Sequence, residues 1–174
     1  MNDTKLSKLL SLALRHDPSA IGIEVDVHGW ASVKAVAAGA SVSASDIERV
    51  VAASDKRRFA LTDDGNFVRA VQGHSIKVDL ELLPIEPPAI LYHGTATRFL
   101  DSIAATGLES RERRHVHLSA DAETAITVGS RHGSPVVLHV KAAKVHSTGQ
   151  AFYLSENDVW LTGPIAPEYL VFPE

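Results

Sequence analysis

The chain has 174 residues, 45% of them hydrophobic, with no cysteine and a formal net charge of −4. That size and apolar content suit one domain or two small ones with real cores, and the missing thiols exclude disulfides, thiolate zinc sites, iron–sulfur clusters and a cysteine nucleophile. Residues 1 to 75 hold nine Lys and Arg against nine Asp and Glu, and residues 76 to 174 hold eight against twelve, so neither half is a basic coat and strong binding to duplex DNA is not expected.

The first apolar run, Leu9-Leu10-Ser11-Leu12-Ala13-Leu14, is far shorter than the roughly 20 residues of a membrane span, and no small-residue cleavage site follows it. With the absence of cysteine, this leads us to expect a cytoplasmic protein without membrane attachment. Within residues 5 to 15, Leu6, Leu9, Leu10, Ala13 and Leu14 recur with the period of an amphipathic helix, capped by Asp3 or Thr4 and ended by Asp17-Pro18. A second helix follows Gly29-Trp30, with Ser32 as its cap and Gly39 as its stop. Ser45-Asp46-Ile47-Glu48 reads as a capping box that opens a third.

Phe59-Ala60-Leu61 and Phe67 to Val71 flank Thr62-Asp63-Asp64-Gly65-Asn66, an Asp-Gly turn that predicts a β-hairpin. Three helices and a hairpin describe a winged helix over residues 1 to 82, an architecture that serves nucleic-acid binding and scaffolding alike. Leu83-Pro84-Ile85-Glu86-Pro87-Pro88 is proline-rich and extended, and residues 83 to 88 read as a linker. Residues 89 to 174 predict short strands at 90 to 93, 116 to 118, 136 to 140, 151 to 154 and 159 to 161. Helices are expected near 97 to 105 and 121 to 128, and the fold class is therefore α+β.

Arginine and histidine gather in four places: Leu14 to Pro18, Lys56 to Phe59, Tyr92 to Thr95 and Arg111 to Ser119. A guanidinium forks onto phosphate and an imidazole exchanges a proton near neutral pH, so such clusters suit chemistry on a phosphate ester. The first three also have a plainer explanation. Arg15 and His16 meet the carboxyl end of a helix dipole, Arg57, Arg58 and Arg69 can cover a solvated strand surface, and Tyr92-His93-Gly94-Thr95 can be an ordinary strand end. His93, His115 and His117 have the chemistry of metal ligands, but Arg111, Arg113 and Arg114 would raise the potential at a bound dication, and no metal is expected.

In this order, Leu-Arg-His-x-Pro, Arg-Phe, His-Gly-Thr, Arg-x-His-Val-His-Leu-Ser, Arg-His-Gly-x-Pro-Val-Val-Leu and Val-Trp-Leu-Thr span nearly the whole chain. The ordered set resembles the RNA 2′-phosphotransferase family, the tRNA-splicing enzymes that use NAD to remove an internal 2′-phosphate from RNA. The resemblance implies a catalytic tetrad at Arg15, His16, Arg58 and Arg113. It also implies an NAD site of ADP-ribosyltransferase type, on a split β-sheet, at His93, Gly94, Thr95, His117, Ser119, Gly129, Arg131 and Gly133.

The implied partners are RNA carrying a 2′-phosphate and NAD, which is consumed, and the implied state is a monomer. By the same resemblance, the phosphate attacks NAD first. A ribose hydroxyl then displaces RNA to leave ADP-ribose 1″,2″-cyclic phosphate, with His16 as proton donor and the arginines on the phosphate. Two other readings remain open: an ADP-ribosyltransferase acting on nucleic-acid phosphate ends, and a winged-helix regulator with a sensor domain. The second needs a basic recognition helix, yet residues 45 to 54 offer only Arg49.

Overall fold

The computed structural model describes residues 1 to 173. The architecture is α+β, with short helices and small antiparallel sheets in two compact units, Met1–Glu81 and Leu82–Glu174. Among the described residues, no helix is long and apolar enough to cross a membrane.

The first unit opens with α1 (Asp3–Arg15), whose N-cap is Asn2, neither Asp3 nor Thr4: the Asn2 side chain accepts from the Lys5 amide at 2.9 Å. Asp3 thus lies inside the first turn, where a carboxylate favours the positive end of the helix dipole. The expected stripe is buried at Leu6, Leu10, Ala13 and Leu14. Asp17 caps a short 3₁₀ turn (Pro18–Ile21), and β1 (Ala31–Ser32) leads into α2 (Val33–Ala40), capped by Ser32.

Gly39 does not stop α2. The helix runs through it, and Ser41 takes the left-handed terminal conformation with φ 55°. A side chain at position 39 would collide with the Ile21 carbonyl, so this glycine allows the 3₁₀ turn to pack against the helix. The capping box of α3 (Ala44–Ala52) is Ser43 with Asp46, two residues before the start expected at Ser45.

Strands β2 (Phe59–Leu61) and β3 (Phe67–Ala70) form the hairpin, and β1 adds to the far edge of β3, giving the order β1-β3-β2. Leu6, Leu10, Val36, Ile47, Phe59 and Val68 meet in one core between the helices and this sheet. Within the turn, Asp64 accepts from the Thr62 hydroxyl and from the Asn66 amide and side chain.

Those bonds, led by the one from Thr62, favour the ionised carboxyl and lower the Asp64 pKa to about 2. A depressed folded-state pKa means that the stabilisation is complete above the unfolded value of 3.8 and is lost as pH falls toward 2. Asp64→Asn is therefore expected to flatten the fall in unfolding midpoint between pH 4 and pH 2. An acid-denaturation profile equal to wild type over that interval would show that the turn contributes nothing to it.

The second unit contains β4 (Leu91–Ala96), a 3₁₀ turn (Thr97–Phe99), α4 (Leu100–Thr106), β5 (Val116–Leu118), α5 (Ala122–Gly129) and β6 (Pro135–Val140). It continues with α6 (Ala142–Ser147), β7 (Phe152–Leu154), β8 (Trp160–Thr162), a 3₁₀ turn (Pro167–Tyr169) and β9 (Leu170–Val171). The helix expected at 97 to 105 is thus divided between a 3₁₀ turn and α4. The sequence gives no sign of α6 and β9, because six and two residues are too few to carry a readable period.

Two sheets result, ordered β4-β6-β9 and β5-β8-β7. They touch through an isolated bridge in which Tyr92 and Ser119 exchange amide-to-carbonyl bonds of 2.9 and 2.8 Å. Leu91, Leu138 and Val140 of one sheet share a core with Val116, Leu118, Phe152 and Trp160 of the other. Within the proline-rich stretch, the Ile85 amide donates to the Phe152 carbonyl, which ties this segment to the second unit.

Candidate active site

In the first unit, Arg15 and His16 stand at the last turn of α1, where the chain's amphipathic period ends and polar side chains can face solvent. Arg15 is half-buried: its Nη2 donates to the Arg58 carbonyl at 3.4 Å, and its guanidinium lies 5.8 Å from the Phe59 ring centroid. His16 is exposed, with Nδ1 2.9 Å from the Ser75 hydroxyl. The Ser75 and Ile76 amides both donate to the Arg15 carbonyl, at 2.9 and 3.2 Å. The segment after β3 therefore closes over the end of α1 and supplies donors for a helix-terminal carbonyl.

The Arg15 guanidinium and the main chain of Arg58 are brought together by these contacts, next to His16, although 43 residues separate Arg15 from Arg58. Arg57 and Arg58 both precede β2, and Arg57 has φ 40°, so strand alternation does not govern which of them faces the cluster. Arg58 is the one whose backbone is held there, by Arg15 and by the Val71 amide. Arg69 is not a solvated strand residue, because its guanidinium stacks on Trp30 at 4.5 Å.

In the second unit, the strand expected to end at Tyr92 to Thr95 continues to Ala96. His93, Gly94 and Thr95 are paired along it with Leu138, Val137 and Val136 of β6. The space that a side chain at Gly94 would take is filled by the Ala125 carbonyl of α5, and a side chain at Gly129 would press on the Thr95 carbonyl. Backbone packs directly on backbone here, and these two glycines let α5 lie flat against β4.

His93 Nδ1 lies 3.1 Å from the His117 carbonyl, and His117 Nδ1 lies 3.0 Å from the His115 carbonyl. A carbonyl only accepts, so both rings carry their proton on Nδ1, and Nε2 is the acceptor in the neutral form. Burial pushes the His93 pKa below its ordinary value, the hydrogen bond to His117 opposes this, and nearby His132 adds to the fall, which keeps His93 neutral. His115 lies outside β5 and packs edge-on against Tyr153 at 5.8 Å. Among the described residues, no group of three His, Asp or Glu side chains is gathered as metal ligands.

Ser119 forms the bridge to Tyr92, beside the His93–His117 contact. Arg131 and Gly133 lie in the loop between α5 and β6, and the Thr97 amide donates to the Ser134 carbonyl of that loop. Arg113 is exposed as a residue, yet protein around its guanidinium, and then the charge of Arg131, lower its pKa. Among the described residues, no carboxylate lies within ion-pair distance of either Arg113 or Arg131. Two cations held near each other in this way favour an anion between them.

Ser75 stands beside these candidate residues without having been singled out in the sequence. It belongs to no periodic element, and its one signal is a Gly73-His74-Ser75 run shortly after the hairpin.

The model of the RNA 2′-phosphotransferase, Tpt1 / KptA family matches residues 1–163. A probable RNA 2′-phosphotransferase of Hahella chejuensis is 54% identical over 169 residues, covering 94% of this chain and 91% of the relative. Proteins of the same description from Acaryochloris marina and Agrobacterium fabrum are each 52% identical, covering 95% and 96% of this chain and 94% and 92% of their own lengths. A match of this extent runs through both units and every candidate site residue named above, and on it the chain belongs to the RNA 2′-phosphotransferase family.

Proposed function

We propose that this chain removes an internal 2′-phosphate from RNA with NAD as co-substrate, through Arg15, His16, Arg58 and Arg113. The observation that carries the reading is the gathering of Arg15, His16 and Arg58 around one helix end, in a chain whose family match covers both units. Three helices with the β1-β3-β2 sheet support a winged-helix reading of residues 1 to 82. Two small sheets joined at the Tyr92–Ser119 bridge support an ADP-ribosyltransferase-like reading of residues 89 to 174, beyond the linker at 83 to 88. The cysteine-free composition supports a reducing, cytoplasmic setting.

The side chains around the split fit NAD chemically. His93, Thr95, His117, Ser119 and Arg131 include hydroxyls, acceptor imidazole nitrogens and a cation but no carboxylate, which suits ribose hydroxyls and a pyrophosphate. Gly94 and Gly129 serve this site by seating α5 on β4, and Gly133 by bringing the Arg131 loop past Ala96. When bound, NAD supplies an anomeric carbon from which nicotinamide departs.

The RNA phosphate is already ionised, so it bonds that carbon without a base as the carbon–nitrogen bond breaks and nicotinamide leaves with the electron pair. The chain's task in this step is to position the two partners. The neighbouring ribose 2″-hydroxyl oxygen then bonds phosphorus and loses its proton to solvent, while the bond from phosphorus to the RNA 2′-oxygen breaks. His16 gives that departing oxygen its proton, and the arginines hold the charge that builds on the phosphate.

The test is to incubate the protein with NAD and a short RNA carrying one internal 2′-phosphate. The expected products are RNA with a 2′-hydroxyl, nicotinamide and ADP-ribose 1″,2″-cyclic phosphate. His16→Ala should accumulate ADP-ribosylated RNA, with the second step slowed roughly a hundredfold or more. RNA that keeps its phosphate with the wild-type protein removes the reading, and unaltered turnover by His16→Ala removes that residue as the acid. A wild-type reaction that stops at ADP-ribosylated RNA would instead favour a transferase acting on nucleic-acid phosphates. The regulator reading has an observation against it: Arg49, the one cation of α3, is bound to Asp3 and Asp46 at 2.9 and 2.7 Å.

A further inference from the structure

We infer that Ser75 is a positioning residue for the second chemical step, acting through His16; the inference rests on the reading of His16 as the acid. Ser75 Oγ stands 2.9 Å from His16 Nδ1 and 3.5 Å from the Arg15 carbonyl. It comes from a segment fixed independently of its side chain, since the Ser75 and Ile76 amides both donate to the same Arg15 carbonyl. The hydroxyl is therefore delivered to the imidazole by backbone that does not depend on it.

A hydroxyl has one proton, and here two groups compete for it. The Arg15 carbonyl can only accept. When His16 is the imidazolium that an acid must be, its Nδ1 can only donate, so Oγ accepts from Nδ1 and turns its own proton toward Arg15. After the proton is given to the departing RNA oxygen, the neutral ring keeps the Nδ1 proton, because Oγ is already oriented to receive it. Ser75 thereby fixes Nε2 as the nitrogen that gives up its proton, and it fixes the plane of the ring. A hydroxyl placed in this way does for His16 what a carbonyl does for His93 and His117 in the second unit.

Two measurements on the full chain test this. Single-turnover reactions with NAD and the 2′-phosphorylated RNA, followed for both ADP-ribosylated RNA and final product, should show the second step of Ser75→Ala slowed about tenfold. The first step should be unchanged, and Ser75→Thr, which restores a hydroxyl, should recover most of the rate. Nitrogen-15 spectra of wild-type His16 in its neutral form should show the proton on Nδ1, a readout that does not depend on how any variant folds.

The proton on Nε2 in that spectrum would overturn the inference. So would a Ser75→Ala second step within twofold of wild type when His16→Ala traps the intermediate. If His16→Ala traps nothing, the reading beneath fails, and Ser75 has no acid to position.

Discussion

Arg113→Ala is expected to leave the first step largely intact and to stop most molecules at ADP-ribosylated RNA. The attacking phosphate already carries its charge in the first step, so little new charge develops there that a guanidinium could stabilise. In the second step phosphorus gains a fifth ligand and negative charge gathers on its oxygens, which is the moment a preorganised fork is worth most.

The surroundings of Arg113 suit that proposed role. Partial burial and the nearby Arg131 charge both weigh against its own cation, and among the described residues no carboxylate pairs with it. Loss of one such donor costs on the order of 3 kcal/mol, or about a hundredfold in rate.

Arg113→Lys should recover little of this, because an ammonium cannot grip two oxygens of one phosphate in a plane. The measurement is a single-turnover time course resolving substrate, ADP-ribosylated RNA and product. Equal slowing of both steps would make Arg113 a binding residue, and no slowing would remove it from the site.

The second large effect is on folding. Gly94→Ala should destabilise the protein by about 3 kcal/mol or more, because the new methyl group would overlap the Ala125 carbonyl and lie 3.0 Å from the Gly129 nitrogen. Both obstacles are backbone, and neither can swing aside. Relief requires α5 to lift from β4, which would also disturb the start of the Arg131 loop and the pairing of His93 and Thr95.

Gly163→Ala is the control, since its nearest neighbour is the end of the Gln150 side chain at 3.5 Å, an ordinary contact. It should change stability by less than about 0.5 kcal/mol. Urea unfolding of the two variants makes the comparison, and equal midpoints would mean that α5 does not rest on β4 as described.

Much of the candidate site was legible in the chain because the chemistry-bearing residues proposed for it lie within short ordered motifs. Arg15-His16 sits where an apolar period ends, Arg58 precedes the first aromatic of a hairpin, and Arg113 precedes an alternating strand. Element boundaries were less legible: the α3 box begins at Ser43, α2 passes through Gly39, and β4 continues past Thr95. The first of these is set locally by Ser43 and Asp46, whereas other local signals were overruled by a neighbour remote in sequence. Gly39 answers to Ile21, Gly94 to Ala125, and Arg69 to Trp30.

The sequence by itself determined the fold class, the order of most elements and the set of cations and imidazoles available for chemistry, because apolar periodicity and residue type are local properties. Only the tertiary structure decided what each of those groups touches. A serine 59 residues from His16 lies against its ring, and Gly94 and Gly129 each face backbone of the other's element where α5 rests on β4. The physical reason is that hydrogen bonds and close backbone packing act across a few ångströms of space, and distance along the chain does not encode them.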